Sequence, residues 1–145
     1  MFFCNDDASL KLEILRYEFP ADAGQYDSDD RNWLVMRGTY TEDGNIIKDT
    51  NSCLLTYELR EMTAGLKVVK AGLREAYESE FSEPYFMLSA RAGGAGEWRV
   101  FVSFALPNTM EDVDVAELDC VMTDAEMAAL VEELDALCEK FPDRA

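Results

Sequence analysis

Histidine is absent from this chain of 145 residues. Without an imidazole, no Ser-His-Asp or Cys-His arrangement can form, and every metal site that needs histidine is excluded. Cysteine is scarce: Cys4, Cys53, Cys120 and Cys138 are far apart and fall in no CxxC pair. The thiolate spacing of a zinc site is therefore missing, and neither a metal nor a cofactor is expected. Two disulfides are formally possible, but Cys53, Cys120 and Cys138 sit among apolar residues and read as small buried hydrophobes in a reducing compartment. Long hydrophobic runs are lacking too. No stretch approaches the ~18 apolar residues of a membrane span, and "MFFCNDD" has no basic start, so a cytoplasmic location is expected.

Positive charge is the other shortage. Thirteen Lys and Arg face thirty Asp and Glu, for a formal charge of -17. A phosphate backbone is bound by cationic patches that release counterions, so this balance argues against nucleic acid, and equally against an anionic membrane surface. A cationic partner, or solubility alone, remains. The imbalance peaks between Val100 and Glu139, where eleven carboxylates occur with no Lys or Arg. Opposite charges three or four residues apart would support a helix, and this segment goes without them.

What is present gives an architecture. At 145 residues one domain is expected, with its core over about 9–142, burying about 68–70% of the unfolded surface. "SLKLEILRYEFP" alternates Leu10, Leu12 and Ile14, a strand closed by Pro20. After a polar loop, "NWLVMRGTY" reads as a second strand, ending at a turn with Asp43 and Gly44. Leu55, Leu59, Met62, Leu66, Val69 and Leu73 then form one helical stripe, with its cap expected among Asp49, Thr50, Asn51 and Ser52. Gly65 weakens that helix by about 1 kcal/mol against Ala, and Gly72 marks its end.

Further strands follow at "AYESEF", "YFMLSARA" and "EWRVFVSFAL", the last two joined by a "GGAG" turn. In "DVAELDCVM", Ala116, Leu118, Cys120 and Met122 face one way and Glu117 and Asp119 the other, a half-buried strand. Thr123 and Glu126 form a capping box for a final helix with the stripe Met127, Leu130, Leu134, Leu137 and Phe141. No internal repeat is visible in the sequence. The order β-β-α-β-β-β-β-α predicts an α+β fold: a largely antiparallel sheet of about six strands with two helices on one face.

Few constellations carry chemistry. "GGAG" lies between two strands and lacks the spacing of a phosphate-binding loop. "DSDDRNWLVMRG" begins like a calcium loop but has Asn32 where glycine must turn and Gly38 where a bidentate Glu is needed. Glu78, Glu80 and Glu83, around a strand end, are the best-placed carboxylates for acid and base work. Trp33 and Trp98 alternate in phase with apolar neighbours and read as core. Glu58, beside the helical stripe, is expected to pair with Arg16 or Arg37.

Taken in order, "LKLEILRYEFP", "YDSDDRNWLVMRG", "CLLTYELREM", "FSEPYFML", "WRVFVSFAL" and "ELDALCEKFP" resemble the WapI-type immunity proteins of bacteria, from about residue 10 to 142. The chain departs from the pattern at Gly65, where an aromatic is expected, and in the acidic insert 22–30. The resemblance implies a small cytoplasmic protein that binds a cognate toxin domain, often a nuclease, and blocks it without catalysis. A nuclease presents a cationic cleft to phosphate, and an acidic surface complements such a cleft. Glu111, Asp112, Asp114, Glu117 and Asp119 are therefore the candidate partner-binding residues, with Glu132, Glu133 and Asp135 adding to the field. Two other readings stay open: a carboxylate-dependent hydrolase built on Glu78, Glu80 or Glu83, and an adaptor or assembly protein with exposed apolar surface.

Overall fold

Asp43 and Gly44 decide the first half of the fold. Both take positive φ, 50° and 77°, the geometry of a two-residue hairpin turn whose twist suits antiparallel strands. In the computed structural model, which describes residues 1–21, 29–106 and 114–144, the chain accordingly leaves this turn as a strand, where the apolar spacing predicts the approach to a helix. The first sheet contains β1 (Phe2–Cys4), β2 (Ala8–Tyr17), β3 (Trp33–Glu42) and β4 (Asn45–Leu55), all antiparallel and in that order. Asp49, Thr50, Asn51 and Ser52 belong to β4, and helix α1 (Thr56–Lys70) begins after them. Among the described residues β4 pairs on one side only, and after Ile46 and Ile47 it runs through five polar residues, Lys48 to Ser52, so its alternation is too weak to read.

The same plan then repeats. β5 (Ala76–Glu78), β6 (Phe86–Ala92), β7 (Glu97–Leu106) and β8 (Asp114–Thr123) form a second four-stranded antiparallel sheet, followed by α2 (Asp124–Lys140). The class is α+β as expected, with eight strands in two sheets in place of about six in one. The repetition lives in the topology and leaves no trace in the residues.

Both helices lie on the inward face of the second sheet, α1 against β5 and β6 and α2 against β7 and β8. The sheets meet where Gly38 of β3 lies beneath the Phe104 ring of β7; a Cβ there would penetrate the ring. Leu10, Leu12, Leu34 and Met36 from the first sheet join Phe86, Val100, Val102 and Leu118 from the second in one buried cluster. Each such side chain contributes on the order of 1.5–3 kcal/mol by leaving water.

Helix ends follow local chemistry. Thr123 accepts from the Glu126 N–H and the Glu126 carboxylate accepts from the Thr123 N–H, both at 3.1 Å, the reciprocal box that the residues predict. At the C-terminus of α1, Gly72 takes φ 76° and donates to the Val69 carbonyl, while Leu73 donates to Val68. That closure satisfies two otherwise orphaned carbonyls. It also turns the chain away from the core, so Leu73 is 78% exposed and is not part of the buried stripe.

Glu58 corrects a second expectation. It is buried, yet its carboxylate has no arginine partner. It accepts from the backbone N–H of Leu55 at 3.0 Å and of Ser82 at 2.6 Å, joining the start of α1 to the chain beyond β5. Arg37 pairs across the strands with Glu13. Trp98 is buried as expected and donates from Nε1 to Asp124 at 2.6 Å, whereas Trp33 is only half-buried.

Candidate interaction surface

Alternation along the second sheet sends one set of side chains into the core and the other away from both helices. Register lines the outward set into rows. Glu78, Ser89, Phe101 and Asp119 form one row across β5, β6, β7 and β8. Ala76, Arg91, Arg99 and Val121 form the next. Met87, Ser103 and Glu117 lie on the other side of the first row. This face is concave, with a cleft of about 580 Å³ lined by Glu78, Arg91, Arg99, Phe101 and Asp119 among others. Met87, Val115 and Val121 on the same face remain exposed.

The candidate partner-binding acids divide between two places. Glu117 and Asp119 are exposed on the outward face of β8. Asp114 opens β8 opposite Leu106, and Glu111 and Asp112 lie outside the described residues. Glu132, Glu133 and Asp135 stand on α2, which packs against the opposite face of the sheet. Glu132 is exposed, but Glu133 accepts from the Met1 amino group at 2.6 Å and Asp135 from Lys67 Nζ at 2.6 Å. The field of those last two is therefore already partly answered within the molecule.

The carboxylates suited to acid and base work do not converge. Glu78 lines the cleft, whereas Glu80 and Glu83 do not. The cleft's other carboxylate, Asp119, stands three strands away in the same row, about 14 Å at the usual strand spacing. Paired glycosidase carboxylates stand about 5–9.5 Å apart. Among the described residues no cluster of three Cys, Asp or Glu is placed to hold a metal ion, and no helix is long and apolar enough to cross a membrane.

Burial governs the thiols. Cys53, against the Met36 sulfur, has its pKa pushed up to about 12 by loss of water, with Glu58 and Glu83 adding to the shift. Cys120 is raised to about 11 by burial first and by neighbouring Cys4 and Asp119 next. Neither is a nucleophile near neutral pH.

A sequence model of the WapI-like immunity protein family matches residues 1–142. The chain belongs to that family. Membership in the WapI-like immunity proteins carries an immunity function, the binding of a cognate toxin, and suggests a non-catalytic role. No curated protein matches the chain in sequence. Among solved structures it is similar to that described as "Crystal Structure of WHY1 from Arabidopsis thaliana", at 15% identity over 97% of this chain and 88% of that one, with a TM-score of 0.46.

Two residues of this WapI-like chain escaped the sequence reading. Arg91 and Arg99 are direct cross-strand neighbours at the centre of the outward face. The signal was available: both fall on the outward phase of "FMLSARA" and "EWRVFVSFAL", and the "GGAG" hairpin sets them opposite one another.

Proposed function

We propose that this protein neutralises a cognate, basic toxin domain, of nuclease type, by docking on it through the outward face of the second sheet, with no bond made or broken. The observation that carries the reading is the exposure of Glu117 and Asp119 on a concave sheet face that no helix among the described residues covers. They belong to the segment 100–139 in which no Lys or Arg occurs, and Glu111, Asp112 and Asp114 precede them directly. Such a surface complements the cationic cleft with which a nuclease holds phosphate. Exposed Met87, Val115 and Val121 supply apolar contact area of the kind protein interfaces use and phosphate backbones do not. Glu132, Glu133 and Asp135 act in this scheme as a more distant field.

Steering by the acids speeds encounter, which matters to an inhibitor competing with substrate. The test is the association rate of the Glu117→Gln, Asp119→Asn double variant with the toxin domain, measured against salt. The rate is expected to fall several-fold at low salt, with a shallower salt slope. An unchanged rate and slope would remove the outward face of β8 from the interface.

A further inference from the structure

In a chain with more than two acids for each base, Arg91 and Arg99 face each other directly across β6 and β7. Like charges so placed destabilise a sheet. This fold is able to avoid that: on the first sheet the equivalent cross-strand position sets Arg37 against Glu13, with both carboxylate oxygens 3.2 Å from Arg37 Nη2. Arg91 and Arg99 have no such relief. Among the described residues neither makes a hydrogen bond or an ion pair, although Glu78, Asp119 and Glu97 surround them on the same face one row or one diagonal step away. Both line the 580 Å³ cleft and also its neighbour of about 610 Å³, so they stand inside a concavity at the boundary of the two. The pattern, among the described residues, is two unpaired guanidinium groups with three carboxylates around them.

We infer that Arg91 and Arg99 together receive one carboxylate side chain of the toxin domain, while Glu78, Asp119 and Glu97 meet the Lys and Arg residues around it. The inference rests on the docking face proposed above and adds the chemistry at its centre. A guanidinium fork takes a carboxylate in a bidentate grip, and two forks a strand apart can share one. A polyanion does not fit the pattern, because a nucleic-acid strand passing over the arginines would bring its next phosphates onto the flanking acids. A lone acid within a basic surface does fit. It is the arrangement at the centre of a phosphate-cleaving site, where a carboxylate acts as base or metal ligand among cations. The toxin's reacting carboxylate would thus be covered directly.

The experiment compares wild type with the Arg91→Gln, Arg99→Gln and the Arg91→Lys, Arg99→Lys double variants. The probe is the purified cognate toxin domain, with a 12-nucleotide single-stranded RNA as a second arm. The Gln pair is expected to bind the toxin domain at least tenfold more weakly, mainly through faster dissociation, and the Lys pair to recover only part of the loss. The thermal midpoint of the Gln pair should equal or exceed that of wild type, because repulsion has been relieved, which separates this role from a structural one. An acid-to-lysine scan of the toxin domain should find one position whose variant binds an Arg91→Glu, Arg99→Glu chain better than it binds wild type. Unchanged affinity of the Gln pair, with wild type binding, would overturn the arginine site and leave the docking face standing. No binding by wild type would overturn both. RNA binding that the Gln pair abolishes would reassign the site to phosphate.

Discussion

Gly65 of α1 lies directly beneath the ring of Tyr77 on β5, so close that a Cβ at position 65 would enter the ring. A glycine in mid-helix is ordinarily a cost of about 1 kcal/mol against alanine, and here the missing side chain is what lets the helix reach the sheet. Gly65→Ala should therefore destabilise the protein by about 1–3 kcal/mol, against the direction of helix propensity. In a Tyr77→Ala background the same substitution should become neutral or stabilising. Denaturant midpoints across the four-member cycle check the change of sign.

Glu58 gives a second test, because two accounts of it predict different partners. As the acceptor of the buried Leu55 N–H and of the half-buried bond from the Ser82 N–H, its removal leaves one buried donor without a partner and returns the other to water. Glu58→Ala should cost about 1–3 kcal/mol, the range for one buried group left unsatisfied. Arg16→Ala and Arg37→Ala should leave the Leu55 and Ser82 amides equally protected. Amide exchange at those two residues distinguishes the accounts.

Alkaline stability should depend on Cys53 and Tyr77. Burial raises Cys53 from 9.0 to about 12 and Tyr77 from 10.0 to about 12, so the folded state holds both protons longer than the unfolded chain. Their contribution is fully present below pH 9, and stability should fall as pH climbs from there toward 12. Cys53→Ala should flatten the slope of unfolding free energy over that window. At pH 8 a thiol reagent should label exposed Cys4 at once and Cys53 only after unfolding.

Much of this architecture could be read from residues, and the exceptions share a cause. β2, β8 and α2 were legible because each buries one face and leaves the other wet, and β7 because its apolar alternation runs unbroken from Trp98 to Leu106. β1 is three residues long, too short for any period. β4 was hidden because Lys48 to Ser52 are all polar, so neither face shows an apolar period there, although the Asp43-Gly44 turn demanded a returning strand. Gly65 looked like a defect because its partner, Tyr77, is set by packing that a linear pattern does not carry. The candidate face was half legible. Glu117 and Asp119 stand where alternation puts them, whereas the meeting of Arg91 and Arg99 depends on the register across the hairpin, which neither strand's own period carries.

Silencing a toxin by occupying it is stoichiometric and leaves the toxin intact. The most direct measurement is a titration of the purified cognate toxin domain with this protein, followed by separation in denaturant, refolding and assay of the toxin. Activity should decline linearly to zero at one equivalent, and the separated toxin should return at unchanged mass with full activity. Loss of activity at a small fraction of an equivalent, or a toxin recovered cleaved or modified, would contradict the account.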